Sequence, residues 1–151
     1  MSFNNVKPRN TVMIELSHST SQSVASGGAV LWDTLRATGS HGVSVDGSGN
    51  ITLDTSREYF IQASFDVTRA STSDSWAFDF YDSGTGTVLA VSDGAFAAQF
   101  ASVATSTATN ATFTAAYIAT SPLSSVVIKA TTMTTTGTLN ANSRVIIIEV
   151  E

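Results

Sequence analysis

The sequence predicts an all-β fold, a two-sheet antiparallel jelly-roll sandwich of about ten strands, on three observations. Apolar and polar residues alternate with period two through one segment after another, the pattern of strands with one buried and one wet face. Clusters of Gly, Ser, Asn and Asp separate these segments at short intervals. No segment of comparable length carries the i, i+3, i+4, i+7 spacing of an amphipathic helix. At 151 residues the chain suits one domain with one sizeable core. The expected division is an N-terminal arm over residues 1–10, which holds Pro8, and a jelly-roll domain over residues 11–151.

The elements follow in chain order. "TVMIELS" places Val12, Ile14 and Leu16 on one face. "AVLWDTL" follows the Gly27-Gly28 turn and reads as a single strand. "GVSVD" and "ITLD" flank "DGSGN", a hairpin signal in which glycine supplies positive φ without steric cost. "EYFIQASFDVT" alternates Tyr59, Ile61, Ala63, Phe65 and Val67 against Phe60, Gln62, Ser64, Asp66 and Thr68, so it predicts a long core strand with one wet face. "WAFDFYD" and "TVLAV" form a second hairpin around "SGTG". "FAAQFASVA", "ATFTAAYIA", "SSVVIKA" and "RVIIIEV" complete the set.

Composition narrows the function. The chain has 22 Thr, 22 Ser and 19 Ala with 13% charged residues, so hydroxyls carry much of its polarity. A hydrophobic share of 42% is too high for a disordered Ser/Thr-rich stalk. The formal charge of −5 argues against a nucleic-acid groove, which needs clustered positive charge. The absence of cysteine excludes disulfides and thiolate zinc sites. "MSFNNVKPRN" lacks the apolar centre of a signal peptide, and no run approaches the roughly 18 apolar residues of a membrane helix. The expected partners therefore include neither nucleic acid nor a membrane.

Motifs for chemistry are weak. Neither His18 nor His41 has the serine and carboxylate geometry of a nucleophilic triad, no G-x-S-x-G elbow occurs, and both read as surface-loop histidines. "DGSGNITLD" offers Asp46, Ser48, Asn50 and Asp54. A helix-loop-helix calcium site wants glycine and glutamate where the chain has Ile51 and Arg57, so a turn is the better reading. Asp74, Asp79 and Asp82 offer carboxylates, but Asp74 and Asp82 read as turn residues flanking a strand. Trp32, Trp76, Phe78, Phe80 and Tyr81 offer aromatic faces for sugar stacking, but Trp76, Phe78 and Phe80 share one face at strand spacing and read as core. Tyr81 falls on the opposite face with Ala77 and Asp79 and needs solvent or a partner for its hydroxyl. The expectation is a protein that is not an enzyme and uses no cofactor or metal.

The last strand raises the main functional question. In "RVIIIEVE", Val145 and Ile147 lie on one side and Ile146, Ile148 and Val150 on the other, so both faces are apolar. Leaving about 100–200 Å² of aliphatic surface in water costs roughly 2–5 kcal/mol. A closed homo-oligomer, with the same sheet turned toward the symmetry axis in every copy, removes that cost. The expected interface residues are Val145 and Ile147 with Ala77, Asp79 and Tyr81.

The order of "TVMIELS", "GGAVLWD", "GVSVDGSGNITLD", "REYFIQASFDV", "WAFDFYD" and "RVIIIEVE" resembles the trimeric jelly roll of the tumour necrosis factor and complement globular-head superfamily. Ile51, Leu53, Tyr59 and Ile61 match the family's apolar pair and the strand that follows it, while Arg57 or Glu58 replaces its usual glycine. The resemblance implies a homotrimer whose inner sheet, last strand included, packs around the threefold axis. Secreted members usually carry a leader, stalk or collagen-like segment, and the expectation here is a free-standing head. Such a head is similar to the decoration or cement proteins of tailed bacteriophages. That resemblance implies a structural virion protein on the outer capsid surface, bound to the major capsid protein and stabilising the shell. Phe3, Lys7 and Arg9 of the arm are the candidate capsid contacts. The alternative is a fibre-tip or adhesin head that recognises a host glycan or protein through the loops "ASTSDS" and "ATSTATN".

Overall fold

The computed structural model describes residues 12–38, 42–68, 76–89, 110–119, 125–133 and 137–150. Among them are eleven strands and no helix. They are β1 (Met13–Ser17), β2 (Gln22–Val24), β3 (Thr34–Ala37), β4 (Ser44–Val45), β5 (Ile51–Thr52), β6 (Glu58–Thr68), β7 (Trp76–Asp82), β8 (Asn110–Ala119), β9 (Ser125–Met133), β10 (Gly137–Leu139) and β11 (Arg144–Val150). All pair antiparallel, in one seven-stranded and one four-stranded sheet, and the expected two-sheet jelly roll is the observed architecture. The predicted strand "FAAQFASVA", the arm 1–10 and His41 lie outside the described residues.

The eleven residues of β6 organise the large sheet. One edge of β6 pairs with β8; the other pairs with β11 over Glu58–Ser64 and with β10 over Val67 and Thr68. β1 and β2 lie outside β11 and β10 in the same way, and β3 closes the sheet beside β1. The small sheet runs β4, β5, β9, β7, with a bulge between Ala77 and Phe78. Tyr59, Ile61, Ala63, Phe65 and Val67 of β6 are all buried, as the alternation predicts. Between the sheets they meet Ile14, Leu16, Phe78, Phe80, Val126, Ile128, Val145 and Ile147. Phe65 and Phe78 stack across the sandwich with centroids 4.5 Å apart.

"AVLWDTL" is not one strand. Ala29 bridges to Lys129, and Val30 N–H donates to Ile128 O at 2.9 Å, so this end belongs to the small sheet. Thr34–Ala37 pairs with β1 in the large sheet. The chain switches sheets at Trp32, as a strand does at the corner of a sandwich. Two short strands, β2 and β10, also fall in Ser- and Thr-rich text where the sequence shows no usable alternation.

Carboxylates fix the turns. Asp46 accepts from Ser48 N–H at 2.8 Å and from Asn50 N–H and side-chain amide at 2.9 and 2.8 Å, which makes "DGSGN" the predicted hairpin turn. Gly49 has φ +82°, and a Cβ there would stand 2.2 Å from Val30 O, so the turn requires glycine for space as well as conformation. Asp54 accepts from Ser56 at 2.7 and 2.9 Å, and Asp33 accepts from the Ser19 hydroxyl and N–H. Each carboxyl is held below its ordinary 3.8, chiefly by the side-chain hydrogen bond from Asn50, Ser56 and Ser19 respectively. Asp82 caps the β7 turn by accepting from Gly84 N–H at 2.8 Å.

β11 is locked at both ends. Ahead of it, Asn140 N–H donates to Asp66 O at 2.8 Å and its side-chain amide to Asp66 Oδ1 at 3.1 Å, while Asp66 N–H donates to the buried Ser143 hydroxyl at 2.9 Å. Near its far end, Glu149 pairs with Arg57 at 2.6 Å, and Arg57 also reaches Asp54 at 3.2 Å. Arg57, just ahead of β6, is thus the anchor that ties the last strand to the start of β6.

Two outcomes are expected. Ile147→Ala should lower unfolding free energy by about 2–5 kcal/mol in urea melts, since it opens a cavity in a fully buried site; a loss below about 1 kcal/mol would place the residue outside the core. Because Asp33, Asp46 and Asp54 have lowered folded-state values, their stabilisation is present above 3.8 and fades as pH falls through those values. Urea midpoints should therefore drop below about pH 4, and Asp46→Ala should make that acid limb shallower; an equally steep limb in the variant would contradict the assignment.

Candidate functional site

The outer face of the large sheet follows from the β6 alternation. Opposite its buried residues, β6 turns Phe60, Gln62, Ser64 and Asp66 outward. The register places Met13 of β1, Ile148 of β11, Phe60 of β6 and Ile118 of β8 in one cross-strand row. Met13 is 47% exposed, and Phe60 and Ile148 are half-buried. The next row carries Glu15, Ile146, Gln62 and Ala116, and the third Ser17, Arg144, Ser64 and Thr114. The face thus grades from an apolar row into a polar end, where Ser64, Asp66, Asn142 and Arg144 line a shallow depression of about 360 Å³.

This geometry corrects the expected interface. Val145 and Ile147 are fully buried inside one chain and cannot form a seam between chains. The outward set of β11 is the other one, Ile146 and Ile148. Glu149 shares the face of Ile147 and makes it the more polar face in the sequence; in the fold Glu149 is held by Arg57 instead of standing in water. Ala77, Asp79 and Tyr81 belong to β7 in the small sheet, so no single flat surface gathers them with β11. There Asp79 is buried opposite Lys129, and the Lys129 ammonium stands 5.2 Å from the centre of the half-buried Tyr81 ring. Burial first, and the Asp79 charge second, raise the Tyr81 hydroxyl above its ordinary 10.0. Phe3, Lys7 and Arg9 lie outside the described residues, as do Asp74, the loop "ASTSDS", and the loop "ATSTATN" but for its end.

His18 is not a surface histidine: it is 5% exposed and packs on Trp32, itself 3% exposed, with ring centroids 5.7 Å apart. Trp32 in turn lies 6.5 Å from Phe65, so an aromatic file runs from the sandwich edge into the core. The His18 Nδ1–H donates to Thr20 O at 2.6 Å, whereas His18 Nε2 and Trp32 Nε1 are buried without a partner among the described residues. Both residues line a cleft of about 260 Å³ with Thr20, Gln22, Leu31, Asp33 and Gly47. The Gln22 side-chain amide is fixed to both backbone groups of Leu31, at 2.9 and 3.0 Å. Adjacency to Ser17 and Ser19 in the sequence concealed this arrangement, because only the sheet switch at Trp32 brings the two rings together.

In sequence the chain matches no family model and no curated relative. Its fold is similar to solved tumour necrosis factor structures. Eiger TNF from S. frugiperda superposes with a TM-score of 0.61 at 10% identity, over 93% of this chain and 92% of that one. Murine APRIL superposes with a TM-score of 0.54 at 10% identity, over 93% of this chain and 98% of that one. The chain therefore has a tumour necrosis factor-like jelly-roll fold.

Proposed function

We propose that this chain is a structural protein that works as a homotrimer, a decoration or cement protein on the outer surface of a tailed-bacteriophage capsid. The observation that carries the reading is the partly exposed apolar row of Met13, Ile148 and Phe60 on the large sheet. An apolar row spanning adjacent strands marks an interface more often than a bare surface. A closed symmetric assembly covers the row in every copy at once. The row supports self-association; the number three and the capsid are supported by the sequence resemblance. In this reading the trimer binds the major capsid protein only in the assembled shell, and stabilises that shell by mass action. The arm is the proposed contact, with Phe3 as apolar anchor and Lys7 and Arg9 as partners for acidic residues on the capsid.

Phe60→Asp puts a charge into the apolar row while leaving the core untouched. In sedimentation velocity the variant should run as a single chain and still unfold cooperatively; an unchanged oligomer would place the interface elsewhere. Mixed with tailed-phage capsids that lack a decoration protein, the full chain should pellet with the shells and raise their melting temperature. Removing residues 1–10 should abolish pelleting and preserve the oligomer. A full chain that never pellets would refute the capsid reading, and full retention of the shortened chain would move the contact off the arm.

A further inference from the structure

The polar end of the large sheet's outer face holds two opposite charges that the chain does not pair. Arg144, at the start of β11, stands opposite Ser64 of β6, and Asp66 lies two residues further along β6 on the same outward face. Arg144 and Asp66 are therefore diagonal neighbours, about 7–8 Å apart, a separation that a side chain as long as arginine spans. Asp66 instead accepts from two amides of the β10–β11 turn. Asn140 Nδ2–H donates to its Oδ1 at 3.1 Å and Asn142 Nδ2–H to its Oδ2 at 3.3 Å. Arg144 is exposed, and its guanidinium has no ion-pair or hydrogen-bond partner among the described residues.

The two charges line one preformed depression. Ser64, Asp66, Asn142 and Arg144 bound a volume of about 360 Å³, inside the roughly 300–1,000 Å³ range of ligand pockets. The turn that supplies Asn142 is bonded to β6 by its backbone as well. Asn140 N–H donates to Asp66 O at 2.8 Å, and Asp66 N–H donates to the Ser143 hydroxyl at 2.9 Å. Within the turn, Ser143 N–H donates to Asn140 O at 3.0 Å. A wall held in this way loses little freedom when a ligand arrives.

The arrangement of charge selects the ligand. A lone anion gains the guanidinium but meets the Asp66 carboxylate, and a lone cation gains the carboxylate but meets the guanidinium. A zwitterion answers both. Its carboxylate takes the fork of N–H donors on Arg144. Its ammonium donates to Asp66, whose oxygens offer about four lone-pair sites and use two on the turn amides.

We propose that this depression binds a small zwitterion, a free α-amino acid, with its carboxylate on Arg144 and its ammonium on Asp66. The site lies two rows from Met13, Ile148 and Phe60 and requires neither an oligomer nor a shell.

Glycine carries the two charges and little else, and acetate and methylammonium are its halves. The full chain, labelled with ¹⁵N, is titrated with each of the three at constant ionic strength, and the Arg144 Nε–H and Asn142 side-chain amide signals are followed. Glycine should shift both signals saturably, with a Kd at least about tenfold below that of either half. Arg144→Gln, a change at an exposed position, should weaken the glycine response of Asn142 at least about tenfold. Arg36→Gln removes another exposed cation of the same sheet, on β3, and should leave that response unchanged. No saturable shift with glycine up to about 100 mM, or a response to either half equal to that of glycine, would overturn the proposal. An undiminished response in Arg144→Gln, or an equal loss in Arg36→Gln, would overturn it as well, since the carboxylate would then have no specific seat on Arg144.

Discussion

The rest of this molecule depends on a strand that is apolar on both faces being hydrogen-bonded on both edges. β11 lies between β1 and β6, so neither face can turn away. A slip of one residue exchanges its two side-chain sets, and in most strands the loss of core hydrophobes forbids it. In β11 the exchange would bring Ile146 and Ile148 inward in place of Val145 and Ile147, and hydrophobicity alone discriminates weakly between the two. Polar locks supply the missing specificity. Asn140 and Ser143 on Asp66 fix one end of the strand, and Glu149 on Arg57 fixes the other. Each lock joins positions more than seventy residues apart in the chain.

That division of labour explains what could be read from the sequence. β6, β7 and β11 occupy the predicted segments because their alternation is long and the contrast in β6 is unambiguous. The facing of β11 was not legible in β11 itself. It becomes so once the strand is set against β6, where Ile147 stands opposite Ile61 and Ile146 opposite Gln62. "AVLWDTL" looked continuous because alternation does not reveal which sheet a strand joins. The switch at Trp32 depends on tertiary pairing with β9 on one side and β1 on the other. His18 was misread for the same reason: a polar residue in a Ser-rich stretch is ordinarily wet, and its burial comes from an indole fourteen positions away.

The two candidate sites sit on different parts of the sandwich and pose different physical problems. The large sheet carries a partly exposed apolar row, Met13, Phe60 and Ile148, which the proposed oligomer would cover. The sandwich edge holds two buried polar atoms, His18 Nε2 and Trp32 Nε1, without a partner among the described residues. The small sheet differs from both, since Asp79 and the Tyr81 ring are already engaged with the Lys129 strand. Its outer face therefore offers less to a partner than Ala77, Asp79 and Tyr81 suggested in sequence.

The central claim is that the outward face of β11 is covered by other copies of this chain, and the solution mass of the unmodified protein by light scattering tests it most directly. The account predicts about three times the chain mass of 15.7 kDa, held across a wide range of dilution. A species of 15.7 kDa at every concentration would contradict it, leaving Met13, Phe60 and Ile148 as an ordinary wet surface.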